Sequence, residues 1–122
     1  MLKLTYTENS FKLEHLNESL EKWLKRRVIL ALRSATSLHI EPSTASFLVP
    51  ADAPQLIELE KAAAEGRLEL CRCDAESLEV ILQGTWIASS VNGETGIFAT
   101  GLSQSSELLL QELSQSDRFC RV

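Results

Sequence analysis

The stretch LEVILQGTWIASSVNGETGIFATGL, Leu78 to Leu102, decides the fold. It reads as two strands joined at Asn92-Gly93, a pair suited to a type I′ turn because both central residues there need positive φ. A two-residue loop fixes the register. Val91 then faces Glu94, Ser89 faces Gly96, Ala88 faces Ile97, Ile87 faces Phe98 and Trp86 faces Ala99. Side chains alternate across a strand, so Leu78, Val80, Leu82, Trp86, Ala88, Ile97 and Ala99 share one face, the core side. The other face is mixed and carries Glu79, Ile81, Gln83, Thr85, Ile87 and Phe98. Gly84 interrupts the long strand and predicts a bulge or bend.

Upstream, Arg67 to Cys73 alternates as well. With Asp74 to Ser77 as a four-residue loop, Cys73 faces Leu78, Cys71 faces Val80, Leu70 faces Ile81 and Arg72 faces Glu79. That register turns both thiols toward the core and makes Arg72 and Glu79 an opposite-charge cross-strand pair. Residues 67 to 102 are thus expected to form a three-stranded antiparallel meander.

At the start of the chain, Leu2, Leu4 and Tyr6 alternate with polar residues, Glu8-Asn9-Ser10 is turn-like, and Phe11, Leu13 and His15 alternate again. A hairpin over 1 to 16, polar on one side as an edge would be, follows. Asn17 suits a helix N-cap, and Leu16, Leu20, Trp23, Leu24 and Val28 recur at helical spacing. Val28 to Leu32 is a continuous apolar run that periodicity alone does not assign. The β-branched Val28 and Ile29 favour a helix over 18 to 26 followed by a buried strand over 27 to 34; one helix to Ser34 is the alternative. Leu38 to Ile40 and Ala45 to Val49 read as extended pieces separated by Pro42, which cannot sit in a central ladder. Asp52, Pro54 and Gln55 predict a helix start by capping box, with Leu56, Leu59 and Ala63 inward and Gly66 as its stop. Ser103 to Gln115 reads as a last helix with Leu108, Leu109 and Leu113 inward, and Asp117 to Val122 as a frayed tail. The fold class is α+β: an antiparallel sheet built from hairpins, with three helices packed on one face, as a single domain over residues 1 to 122.

The totals narrow the function classes. The chain has 122 residues, 44% of them apolar, enough for one core. A net charge of −5 with a pI near 5.0 argues against nucleic acid as a partner. Three cysteines make no disulfide framework, the N-terminus lacks an apolar signal core, and no run reaches the ~20 apolar residues needed to span a bilayer. A cytoplasmic, reduced protein without a membrane partner is expected.

No motif names a reaction. Cys71 and Cys73, imagined with His15, His39 and Cys120, lack the knuckle spacing of a zinc site, and no metal or cofactor is expected. His39 beside Glu41 is the one acid–base candidate, weighed against a surface ion pair; a pocket near His39, Glu41 and Trp86 is the enzyme or ligand-binding alternative. Lys22, Lys25, Arg26, Arg27 and Arg33 form the single basic cluster, read first as a solvated helix face and second as an anion or RNA site. The apolar group Ile81, Ile87 and Phe98 on the mixed face is covered either by a helix of the same chain or by a partner. The leading expectation is a non-catalytic protein-interaction or regulatory module, homo-oligomeric through that face or an edge strand.

The phrases Glu41-Pro-Ser-Thr-Ala-Ser-Phe-Leu-Val-Pro-Ala-Asp52 and Leu82-Gln-Gly-Thr-Trp86 resemble those of small alr-type proteins of cyanobacteria, a family with no assigned function. The resemblance covers about half of the chain. It implies a bacterial cytosolic setting and carries no catalytic residue.

Overall fold

Ser77–Ala88 forms one long strand, and the rest of the sheet hangs on it. In the computed structural model, which describes residues 1 to 89, 95 to 115 and 119 to 121, the chain runs β1 (Leu2–Tyr6), β2 (Phe11–His15), α1 (Leu20–Arg33), β3 (His39–Pro50), α2 (Leu56–Ala64), β4 (Leu68–Arg72), β5 (Ser77–Ala88), β6 (Gly96–Thr100), α3 (Gln104–Leu113) and β7 (Cys120–Arg121). The order across the sheet is β2-β1-β6-β5-β3-β7, with β4 also paired to β5, and every pairing is antiparallel. This is the α+β class expected.

One edge of β5 is paired with β3 along its whole length, from Ser77 opposite Pro50 to Ala88 opposite His39. The other edge is shared: β4 takes residues 78 to 82, and β6 takes residues 85 to 87. Gly84 lies at the handover. A Cβ there would stand 2.8 Å from Phe98 Cζ and collide with the Ala99 carbonyl, so only glycine lets β6 approach this closely. Thr100 Oγ1 donates to the Gln83 carbonyl at 2.8 Å beside it. The β3–β5 register runs through Gly84 without a break, so the bulge expected there is not formed on that side.

Both hairpin registers differ by one residue from the sequence expectation. On β6, Ile97 faces Ile87, Phe98 faces Trp86 and Ala99 faces Thr85. An odd number of residues therefore separates paired positions, where a two-residue turn leaves an even number. The Asn92-Gly93 corner itself lies outside the described residues. On β4, Leu70 faces Val80, Cys71 faces Glu79 and Arg72 faces Leu78, so the Arg72–Glu79 pair is not formed. The cause is visible in the loop. Asp74 Oδ1 accepts from the N–H groups of Glu76 and Ser77, at 2.8 Å each, and lengthens the turn by a side-chain mimic of backbone. Leu68 is buried as a result, while Cys71 and Cys73 are exposed and not core-facing.

The alternation within β5 itself holds. Val80 and Leu82 join Leu2, Leu4, Leu13, Ala45, Phe47, Val49 and Phe98 in the main core, under Leu59 and Ala62 of α2 and Leu110 and Leu113 of α3. The opposite face carries Ile87 and Ala99, which pack with Met1 under Trp23 of α1. The helices thus cover both faces of the sheet instead of one. Pro42 sits inside a continuous β3, opposite Thr85. Among the described residues, the outer edge of β3 is paired only at Phe47 and Leu48, by β7, so Pro42 lies where β3 is an edge strand, the place a sheet tolerates proline. The first hairpin forms as expected, with β2 at the edge and β1 inside the sheet.

The end of the chain is not frayed where it is described. The Phe119 ring packs 4.8 Å from Phe47 and 5.4 Å from Phe11, centroid to centroid, joining the two margins of the sheet across the core. At α2 the helix starts after Gln55, not after Asp52, and the Gln55 side chain makes no cap bond. Its stop is as expected, with Gly66 at φ 82° and bonds from Gly66 N to Ala63 O and Arg67 N to Ala62 O.

Candidate functional site

The largest departure from the sequence reading is α1, and it creates the surface of interest. Ser19 caps the helix by accepting from Lys22 N. The helix then continues through Val28 to Leu32 to Arg33, so no strand forms over 27 to 34. It closes on a left-handed Ala35, φ 54°, with bonds from Ala35 N to Leu32 O and Thr36 N to Ala31 O. The apolar residues of α1 packed into the second cluster are Leu20, Trp23 and Leu24, all in its first half.

The second half overhangs. Leu32 is 76% exposed, Leu30 53% and Ile29 39%, and Ile40 at the start of β3 stands beside them at 38%. Val28, Ala31 and Leu38 help to line a shallow apolar groove of about 200 Å³ between the helix end and β3. At about 3.6 residues per turn, Leu32, Ile29 and Leu30 share one outward arc with Lys22, Lys25, Arg26 and Arg33. Arg26 is bonded to Glu18, Nη2 to Oε2 at 2.9 Å, and this guanidinium holds the Glu18 carboxyl below its ordinary range. Arg27 rides over the Trp23 ring at 4.9 Å. Among the described residues no carboxylate pairs with Lys22, Lys25 or Arg33. The sequence reading puts Lys22, Lys25 and Arg26 on a helix and the aliphatics, with Arg33, on a strand; the continuous helix interleaves them.

The apolar group expected as the interaction face is dispersed. Phe98 is 1% exposed in the main core, Ile87 is buried beneath α1 on the other face, and Ile81 is half-buried opposite Ser46 and Glu69. The one-residue shift sends Phe98 to the Trp86 side, and α1 covers Ile87, so the three never form one exposed patch.

His39, Glu41 and Trp86 do meet. Glu41 faces Trp86 and His39 faces Ala88 across the β3–β5 pair. His39 Nε2 lies 3.1 Å from Glu41 Oε2 without the angle of a hydrogen bond, an ion pair when the imidazole is protonated. The Trp86 ring lies over Gly96, whose missing Cβ would stand 2.6 Å from Cζ2, and meets Tyr6 edge-on at 5.7 Å.

A polar cluster that sequence reading missed joins the first hairpin to α3. Glu107 is 3% exposed. Its Oε1 accepts from His15 Nδ1 at 2.8 Å and lies 3.2 Å from the Met1 α-ammonium, and its Oε2 accepts from Leu102 N at 2.9 Å. The α-ammonium also donates to the carbonyls of Leu16 and Glu18, and His15 N–H donates to Gln111 Oε1, all at 2.8 Å. Cavities of about 530 and 270 Å³ flank His15. His15 lies 92 residues from Glu107 and 96 from Gln111 in the chain, so no local pattern announces them. With each oxygen of Glu107 bonded, the cluster acts as a clamp between elements.

No helix of the described residues is long and apolar enough to cross a membrane. Among the described residues no group of three or more His, Cys, Asp or Glu side chains is placed to hold a metal ion. No curated protein and no solved structure matches the chain. The model of the Alr0857-like family matches it over residues 1 to 118, nearly its whole length, and the chain belongs to that family.

Proposed function

We propose that the protein is a non-catalytic interaction module, working in the cytoplasm, whose contact surface is the overhanging half of α1 with Ile40. One observation carries this reading: three large aliphatic side chains stand in water on a helix already anchored by Leu20, Trp23 and Leu24 in its first half. A side chain as exposed as Leu32 adds nothing to the core, and clustered exposed aliphatics mark contact surfaces. The exposed thiols of Cys71 and Cys73 fit a reducing compartment. Capture from the native cell tests the reading, with the wild-type chain compared against Leu30→Ser/Leu32→Ser. Partners retained by the wild type and lost by the variant support it; identical partner sets sink it.

The alternative, acid–base or ligand chemistry at His39, Glu41 and Trp86, has in its favour the 3.1 Å His39–Glu41 approach. Measured ligand binding or turnover that His39→Ala and Glu41→Ala abolish would put that group first.

A further inference from the structure

We infer that the partner of the α1 surface is a second copy of this chain, and that it is met through the outer face of α2. The inference rests on the reading above and names its occupant. The argument is complementarity between two faces of one molecule. Helix α1 carries five cations and one carboxylate in a chain of net charge −5, so the remainder is strongly acidic. The outer face of α2 repeats the design of α1 with the opposite sign. Ile57 is 64% exposed there, and Glu58, Glu60 and Glu65 stand exposed around it; Glu58 holds Lys61 at 3.4 Å and Glu65 holds Arg67 at 3.6 Å, so carboxylates outnumber cations by one. An aliphatic cluster among cations on one face meets an aliphatic residue in a net acidic setting on the other.

The same charges exclude the symmetric pairings. Two α1 faces brought together oppose Lys22, Lys25 and Arg33 to themselves, and two α2 faces oppose glutamates, each costly once desolvated. Stacking of bases is not available either, because Trp23, the aromatic of α1, is buried. Helices α1 and α2 cover opposite faces of the sheet, so a contact of α1 on α2 is heterologous. It leaves an unused α1 on one copy and an unused α2 on the other, and association continues until a ring closes or a stack forms.

Sedimentation velocity of the full chain, from low micromolar to near-millimolar at low salt, tests this with two charge reversals. The variant Lys22→Glu/Lys25→Glu/Arg33→Glu and the variant Glu58→Lys/Glu60→Lys/Glu65→Lys alter exposed residues outside both cores. The expected result is concentration-dependent association of the wild type, weakened by added salt and by roughly tenfold or more in either variant alone. Mixing the two variants restores it, because each then meets an opposite face. A wild type that stays monomeric at every concentration overturns the inference. So does an α2 variant that associates as the wild type does, which points to an α1–α1 contact. If the chain is monomeric while Leu30→Ser/Leu32→Ser still loses its captured partners, this inference fails and the interaction reading stands.

Discussion

Phe47, Val49, Leu59, Val80, Leu82 and Leu110, under α2 and α3, have no accessible surface, whereas on α1 Trp23 is the single buried residue and Leu30 and Leu32 project into water. One face of the sheet uses its apolar residues to fold. The other is anchored at one end and keeps an apolar surplus that folding does not require. Apolar sequence and core are therefore separable, and the separation occurs within one helix, between Leu24 and Val28.

Removing a ring from the sealed side gives the largest effect. Phe98→Ala leaves a cavity in the main core between β1 and β5, where the paired strands resist collapse. A loss of about 3–5 kcal/mol is expected in urea unfolding. A loss below about 1 kcal/mol would mean that this face is loosely packed and that the contrast is false. Trp23→Ala attacks the thin side, and the cost expected is near the lower end, about 3 kcal/mol. Its signature is local: hydrogen exchange should rise across α1 while α3 keeps its protection. Equal loss of protection in both helices would show that the two faces stand or fall together.

The contrast also explains what was legible from sequence. Period-two alternation is a property of a single strand, so the inward set Val80, Leu82 and Trp86 could be read from β5 alone. Pairing phase is set by the loop, and there the reading failed twice. The Asp74 side chain lengthened one turn by two backbone bonds, and the β6 loop had odd parity. A shift of one residue is enough to move Phe98 into the core and the thiols out of it. Val28 to Leu32 was misread for a different reason. The β-branched Val28 and Ile29 favour a buried strand there, whereas the run continues α1 and is largely exposed. The Glu107 clamp was illegible because its bonds span the length of the chain. At the candidate site, the cations of α1 could be found in the sequence, but not their partner aliphatics.

A smaller effect, of opposite sign, separates the two helix ends. Helices α1 and α2 stop with the same bond pattern, one on Ala35 at φ 54° and the other on Gly66 at φ 82°. Only glycine takes this conformation without a Cβ penalty. Ala35→Gly should therefore stabilise the protein by roughly 0.5–1 kcal/mol, a rise of about 4 °C in Tm. No change, or a loss, would mean that the end of α1 opens in solution and that the overhang is not a fixed surface.

The smallest expected change in stability is the one that bears most on function. Leu32 is 76% exposed, so Leu32→Ser removes few packed contacts and puts a weaker helix former near a helix end, where its cost is least. The unfolding free energy should move by no more than about 0.5 kcal/mol. Self-association should fall in the same protein. A core residue cannot behave this way, because its loss must appear in the unfolding curve before it appears anywhere else. A Leu32→Ser chain that unfolds early would show that the overhanging half of α1 belongs to the fold after all. One that unfolds like the wild type but no longer associates would place the surplus on a surface kept for another copy.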